Sequence, residues 1–598
     1  MKLSPIGKPQ KKISFAVVDI ETMNWTKFIV LGFYDGTEYR EFRSLKKFFE
    51  FLSQEQRTET IFAHFGGKFD FLFLLKEILR NEKYKVEALV PRGSSILYFN
   101  LECGGRKYTF RDSSALLPFA LKSLTENFGV ASKKKEWDHS KTTGYSAELS
   151  SYLKFDCLGL FESLEKFYSW PLIEKAGPAF TVAGQAMRVM RCYLEEELWG
   201  LNEKATEFCR KAYLGGRTEI FRPYCEKGPL YEYDVNSLYP TVMRDNYFPV
   251  GNGLFTYNYD KSNLGIYQAI ATAPTRLHIP CLGVVRDGKF IFPVGKFEGY
   301  WTNAEIEYAI SQGYQFKIKK GYVFPEKRML FKNFIDDLYS IRLTAAKNSV
   351  SDIIAKLLMN SSYGRFGMDH EKENIGFEMK EGVEEYQILK IGNRNVQLYK
   401  EPITLRTFSH VGIAAFVTSY ARIYMHKMFK DLGEELYYTD TDSLFTTRKL
   451  PSNKGLGGLK LENEFASAVF LLPKTYFARG FAKSKIAMKG FDRKKIQDFT
   501  LDDFRNALEG DLRRFKIENE PKFATLKTAL AQKKIVTLTK KSERQLRAVY
   551  SKRIIYKKDG EFFSKPINLQ EIKCRPKKQR PQKPLKENSK KPAHRSLN

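Results

Sequence analysis

The chain has 598 residues, and its 99 Lys and Arg against 69 Asp and Glu give a formal net charge of +30. At 43% hydrophobic residues it can bury real cores, and about 150 residues per domain suggests roughly four domains or subdomains. No apolar run nears the ~18 residues of a membrane helix, the start MKLSPIGKPQKK lacks an apolar leader segment, and the seven scattered cysteines form no C-x-x-C pair. A soluble protein with no membrane partner, disulfide framework or structural zinc is therefore expected. The charge excess is not confined to one end. Ten Lys and Arg against Glu571 and Glu587 make residues 571–598 worth +8, and the rest of the chain keeps +22. Such a charge strains a compact fold unless a polyanion sits against it, and 14% aromatics among the basic residues points to nucleic acid. The tail itself, rich in Lys, Pro, Gln and Asn, is expected to be disordered.

In chain order, Ile13 to Ile20 reads as a strand that ends in Asp19 and Glu21. Residues two apart in an extended chain share a face, so these carboxylates repel unless a cation lies between them. Asp70 opens an apolar helical segment after the glycine loop His64-Phe65-Gly66-Gly67. A helix from about Ala147 to Tyr168 carries Tyr152 and Asp156 at i and i+4, on one face. Singly, each feature also fits a polar strand end, an N-cap, a core tyrosine or a solvated acid. Together, four carboxylates and a phenol from three elements can hold two divalent cations about 4 Å apart, with Tyr152 orienting a water.

Three sharper stretches follow. In Tyr231-Glu-Tyr-Asp-Val-Asn-Ser-Leu-Tyr-Pro240 an aromatic strand delivers Asp234 to a turn before a helix. Asp234 and the carbonyl of Val235 can ligate metal. Ser237 and the backbone N–H groups of the turn, through Leu238, can meet a triphosphate. Tyr239 would lie under the sugar. In Lys356-Leu-Leu-Met-Asn-Ser-Ser-Tyr-Gly364, with Ser351 as the expected N-cap, Lys356, Asn360 and Tyr363 fall on one helical face, suited to phosphate, sugar and base. Tyr438-Thr-Asp-Thr-Asp-Ser443 lies between apolar strands and reads as a tight hairpin with Asp440 and Asp442 at its tip.

The order D-x-x-S-L-Y-P, K-x-x-x-N-S-x-Y-G and Y-x-D-T-D-S resembles motifs A, B and C of family B DNA polymerases. The preceding set, Asp19, Glu21, Asp70, Tyr152 and Asp156, resembles their DEDDy-type 3′–5′ exonuclease domain. Tyr213-Leu-Gly215-Gly216 is similar to the Y-x-G-G motif between the two activities. Thr418-Ser-Tyr-Ala-Arg422 is similar to the T-x-x-[GA]-R motif that touches primer and template, and Lys474-Thr-Tyr476 to the K-x-Y that holds the primer terminus. Gaps of 115 residues before Lys356 and 73 before Tyr438 match the two insertions of the protein-primed branch, found in bacteriophages, adenoviruses and linear plasmids.

The resemblance implies an α/β plus α+β fold, an RNase H-like exonuclease domain followed by a right-hand polymerase. The expected ranges are 1–174 for the exonuclease and 175–254 for a linker and first palm segment. The first insertion, contacting terminal protein and DNA, is expected at 255–335, and the fingers at 336–366. A second insertion at 367–405 is built on the hairpin YQILKI-GNRN-VQLYK. The palm is expected at 406–488, the thumb at 489–570 and the tail at 571–598. Implied too are Mg²⁺, two ions in each site with Mn²⁺ able to substitute, and primer–template DNA and dNTPs as partners. A separate terminal protein would prime synthesis, in a monomer or a heterodimer with it, in the cytoplasm of a virus- or plasmid-bearing cell. Arg342 stands where a second phosphate-binding cation is expected.

Departures are specific. The branch has Asn beside the exonuclease-loop His, and here that residue is Phe65. Its S-L-x-x-h motif survives only as Ser113-Ser114-Ala-Leu-Leu117, and its K-x-x-h only as Lys134-Lys-Glu-Trp137 in a Lys-rich run. A nucleic-acid-primed family B enzyme, a nuclease with a DNA-holding half and a non-catalytic DNA-binding protein are the other readings.

Overall fold

The structure, a computed structural model, describes residues 2–8, 12–54, 59–92, 95–369, 371–377, 384–391, 394–404, 408–491, 496–511, 514–517 and 542–571. Apart from Glu571, the basic tail lies outside the described residues, as does most of 512–541 in the expected thumb.

The N-terminal part is built on a ten-stranded sheet. Its centre is parallel, Ala16–Met23 pairing with Thr60–Ala63 at Ala16↔Ile61 and Thr60–Ala63 pairing with Arg106–Asp112 at Thr60↔Thr109. The first strand begins three residues later than its expected start and continues past the acidic pair. Both of its faces are covered, which is why the run Ala16-Val-Val18 is continuously apolar. Ala16, Val18 and Ile20 pack with Phe71 and Leu75 of the helix Asp70–Ile78. Val17 packs with Leu149, Leu153 and Leu160 of the helix Ala147–Tyr168. Alternation then aims Asp19 and Glu21, which share Val17's face, at that second helix. Ser146 caps it by accepting from the Leu149 N–H at 3.2 Å.

The expected hairpin of the second insertion is present as Glu384–Ile391 and Arg394–Thr404, closing at Ile391↔Arg394. It joins the N-terminal sheet. Strand Glu371–Gly376 pairs with Arg394–Thr404 and, at Ile375↔Leu89, with Tyr84–Arg92 of the N-terminal sheet. Leu398 is buried in the core shared with Phe71 and Phe99, so the pairing is sealed by apolar packing.

The palm is an eight-stranded antiparallel sheet running Thr218–Ile220, Leu436–Asp440, Ser443–Thr446, Leu230–Val235, Leu459–Leu472, Thr475–Gly480 and Lys485–Met488, with Tyr224–Cys225 beside the long strand. Helices Leu238–Asp245 and Val411–Phe429 pack over it through Val242, Phe416 and Met425. The range expected for the first insertion holds a four-stranded sheet from Leu254–Thr256 to Gln315–Phe324 with its own core around Tyr267, Trp301 and Tyr314. The helices Lys332–Thr344 and Val350–Phe366 form an antiparallel pair, so the finger helices start inside the range expected for the insertion. The N-cap of the second is Ser349, whose extended backbone (φ −69°, ψ 166°) suits that place. Ser351, the expected cap, lies in the first turn, and its hydroxyl accepts from the Trp170 indole at 3.3 Å. In the expected thumb, Leu501–Glu509 starts with a capping box between Thr500 and Asp503. The following hairpin, Arg553–Lys558 with Glu561–Pro566, lies against the palm and the first insertion.

One close approach sets the spacing of the N-terminal carboxylates. Gly32 pairs with Asp19, and a Cβ there would lie 2.9 Å from Cys157 Sγ and 3.0 Å from Leu153 Cγ. Only a residue without a side chain lets the helix of Tyr152 and Asp156 pack this near the strand. Gly32→Val is expected to cost about 1–3 kcal/mol of stability by overpacking. It should also weaken divalent-metal protection of this part, read by denaturant melts with and without Mg²⁺.

Candidate active sites

The first site lies between the strand end and the two helices. Ligand oxygens of Asp19, Glu21 and Asp156 fall within 4.8 Å of one another, and Asp70 is near enough to feel the Asp19 charge. Glu21, Asp70, Tyr152 and Asp156 are all buried. Burial and the Asp156 charge push Asp19 up to about 7. Burial, then Asp19, push Glu21 and Asp70 well above the carboxylate range, and Asp156 is raised by burial. Asp70 Oδ1 and Asp156 Oδ1 have no hydrogen-bond partner. Buried carboxylate oxygens left bare beside other carboxylates are costly, and an all-oxygen set is what a hard divalent cation takes. The residues fit a hard divalent cation.

Two basic residues stand inside this site. The Lys134 ammonium donates to the Tyr152 phenol at 2.6 Å and to the Asp156 carboxylate. His139 Nδ1 is 3.5 Å from Glu21. Lys134 was legible only as a K-x-x-h match in a lysine-rich run, and nothing in the sequence signalled His139. Ser113 and Leu117, the remnant of S-L-x-x-h, are fully buried, and the Ser113 hydroxyl meets His64 Nδ1 at 2.9 Å. His64 Nε2 faces the Phe119 carbonyl at 2.7 Å, so this histidine braces the loop.

That loop is tight. A Cβ on Gly66 would lie 2.4 Å from the Ala63 Cβ, and one on Gly67 would lie 1.9 Å from the Ile96 carbonyl oxygen. Phe65 is left-handed at φ 56° and 37% exposed, with Lys68 over its ring at 5.9 Å. Asn accepts this backbone far more readily than Phe.

The second site lies on the palm. Thr441, left-handed at φ 66°, turns the chain between Asp440 and Ser443, which pair directly. Asp234 pairs with Ser443, and the Val235 N–H donates to the Asp442 carbonyl at 2.8 Å. Asp234 and Asp442 are thereby fixed together at one end of the central strands. Burial, then Asp442, push Asp234 up to about 7, and burial raises Asp442. Asp440 is tied differently: it accepts from Thr218 Oγ1 at 3.0 Å and pairs with Lys474 Nζ at 3.1 Å. The two acids without such partners are the ones suited to metal.

Around them, the Tyr239 and Tyr363 rings stack at 4.5 Å and 24°. Lys356, Asn360 and Gly364 are exposed along the face of the finger helix that also carries Tyr363. Ser237 is left-handed at φ 57° at the head of its helix. Leu238 is 1% exposed, so only its backbone is left for a triphosphate. Arg342 donates to Asp352 at 2.9 Å, clamping the two finger helices together, and a phosphate would have to displace that carboxylate.

Three residues expected on DNA are placed otherwise. Thr418 and Arg422 are 2% and 5% exposed. Arg422 binds Glu305 at 2.8 Å and donates to the carbonyls of Leu214 and Gly215, so it holds the Tyr213–Gly216 loop from behind. The Tyr476 ring is 7% exposed, packed with Tyr438, Phe445 and Phe470. Tyr213 packs against Gly367, where a Cβ would meet its ring at 2.4 Å. Gly216 lies against the catalytic turn, 2.7 Å from Thr441 Cγ2 by the same measure.

Residues 145–425 match the family model described as DNA polymerase type B, organellar and viral. The chain is 27% identical over 555 residues to a probable DNA polymerase of Ascobolus immersus, covering 77% of this chain and 45% of that one. It is also 27% identical to a DNA-directed DNA polymerase of Enterobacteria phage PRD1, covering 69% of this chain and 72% of that one. The structure of Phi29 DNA polymerase complexed with primer-template DNA and incoming nucleotide substrates superposes with a TM-score of 0.73 at 20% identity. The match covers 90% of this chain and all of that one. Over residues 145–425 the chain is thus similar to the organellar and viral type B DNA polymerases, and its fold matches that of Phi29 DNA polymerase. It shares their α/β arrangement of exonuclease-type domain, palm, fingers and thumb, and it spans about half the length of several curated relatives it matches.

Two predictions follow from the electrostatics and the backbone. A carboxyl whose folded pKa exceeds its unfolded value destabilises the fold as pH rises from the lower value to the higher. For Asp234 that window runs from about 4 to about 7. Metal-free Asp234→Asn should therefore melt higher than the parent at pH 8, by roughly 1–2 kcal/mol after solvent screening, and no higher at pH 4. Mg²⁺ should stabilise the parent more at pH 8 than at pH 5. Phe65→Asn should raise stability by about 1 kcal/mol through relief of the left-handed backbone, read by thermal melting.

Proposed function

We propose that this chain is a DNA-directed DNA polymerase with a separate 3′–5′ exonuclease, working on primer–template DNA and dNTPs. The observation that carries the reading is the pair of distinct carboxylate clusters, the largely buried Asp19/Glu21/Asp70/Asp156 and the half-buried Asp234/Asp442, each under-neutralised by its surroundings.

On the palm, Asp234, Asp442 and the Val235 carbonyl would hold two Mg²⁺ or Mn²⁺ ions, which when bound lower the pKa of the primer 3′-hydroxyl and neutralise the departing pyrophosphate. The protein's own part is positioning and charge. Lys356 offers a cation to phosphate, and the Tyr239–Tyr363 stack forms a floor for the sugar and base. Asp440, held by Thr218 and Lys474, fixes the turn that presents Asp442.

In the exonuclease cluster, the four carboxylates would hold the second ion pair. Tyr152 and Lys134 stand where a water could be oriented beside Asp156. The likeness to the protein-primed branch supports initiation on a Ser, Thr or Tyr hydroxyl of a terminal protein, with the first insertion contacting that protein and the second insertion helping to ring the DNA.

The test is a recessed primer–template with Mg²⁺, with and without dNTPs. Asp234→Ala or Asp442→Ala should abolish extension and leave shortening intact, while Asp19→Ala with Glu21→Ala should do the reverse. Loss of both activities from either set in a folded protein would sink the two-site reading.

A further inference from the structure

The edge strand Thr218–Ile220 touches the catalytic turn on one side and the C-terminal segment on the other. Toward the turn, Thr218 pairs with Asp440 and its hydroxyl donates to that carboxylate at 3.0 Å. The Arg217 carbonyl accepts from the Thr441 N–H at 2.8 Å. Away from the turn, Lys552 Nζ donates to the Thr218 carbonyl at 2.8 Å. Glu219, 1% exposed, lies between two guanidiniums: its Oε2 accepts from Arg217 Nε at 2.7 Å and its Oε1 lies 3.3 Å from Arg553 Nη1.

Arg553 is buried too, and it also donates to Ser564 Oγ at 2.7 Å and to the His278 carbonyl of the first insertion at 2.9 Å. Arg217 donates to the Pro280 carbonyl at 2.7 Å. Residues at both ends of the segment are anchored. The Val549 N–H donates to the Leu471 carbonyl at 2.9 Å, and Val294 exchanges backbone bonds with Ile567 and Leu569. A buried Arg–Glu–Arg set is poor at adding net stability but severe when one member is removed, so it enforces one geometry.

We propose that residues 549–569 are a strap that fixes the height of the turn 440–442 through the strand 218–220, making Thr218 and Lys552 positioning residues for nucleotide addition. This rests on the polymerase reading above. The strap is tied to palm and insertion at once, so a displacement of the insertion at His278 or Pro280 is passed to the turn.

The test uses the full chain. Thr218→Val and Lys552→Met should each lower kcat for dNMP addition about tenfold and raise the Mg²⁺ concentration for half-maximal rate several-fold, with KM for dNTP changed less than about twofold. The exonuclease rate and Tm should stay at parent values, and Thr218→Ser should restore extension. Parent extension and parent Mg²⁺ dependence in both variants would overturn the proposal. So would loss of extension, degradation and Tm together, which is mere structural support. If the parent fails to extend any primer, the polymerase reading falls on its own. The strap is then judged by calorimetric Mn²⁺ binding in an Asp19→Ala, Glu21→Ala background: weaker binding in Thr218→Val upholds it, and equal binding overturns it.

Discussion

Carboxylates held together against their own repulsion govern both halves of this molecule. In the N-terminal cluster the acids are buried, and two oxygens have no partner. On the palm two acids share one end of the central strands, each pushed upward in pKa by burial and neighbouring charge. Neither arrangement is favourable in itself. It persists because strand pairing, helix packing and glycine contacts leave the acids nowhere else to go. Gly32 lets a helix press its acid toward the strand, and a left-handed Thr441 points Asp442 at Asp234. The surrounding elements can be understood as what it takes to keep these groups close until cations join them.

The same logic separates acids that ligate from acids that brace. Asp440 and Asp442 are two residues apart on one turn, yet Asp440 is neutralised by Thr218 and Lys474 and Asp442 is not. Glu219, Glu305 and Asp352 are engaged by Arg217, Arg422 and Arg342. A charged residue in a recognised pattern thus does one of two jobs, and its partners decide which. Arg422 shows this most clearly. Its pattern points to DNA, while its burial and its bonds to Leu214 and Gly215 make it a brace for the loop beside the catalytic turn.

The sequence made the ligand sets legible because they depend on short-range geometry. Alternation along Ala16–Met23 places Asp19 and Glu21 on one face, the i, i+4 spacing places Tyr152 with Asp156, and the two-residue turn presents Asp440 and Asp442. Boundaries set by tertiary contact were not legible. The finger helix begins at Lys332 because its first turn packs Phe334 and Ile335 into the main core. Lys134 and His139 reach the first site from a loop that carries no periodic signal. The role of Thr218 depends on a partner 222 residues away, a relation that no local pattern encodes.

The pairing of Glu371–Gly376 with Tyr84–Arg92 binds distant stretches of the chain into one sheet. A strand contributed from beyond the finger helices is hydrogen-bonded into the N-terminal sheet, so what look like successive modules along the chain are interleaved in space. Cutting near residue 174 would not free two independent folding units. It would expose the open edge of Tyr84–Arg92 on one fragment and orphan a hairpin on the other, leaving each with a bare strand that invites pairing with foreign chains. The molecule is better regarded as a single woven body than as a string of detachable modules.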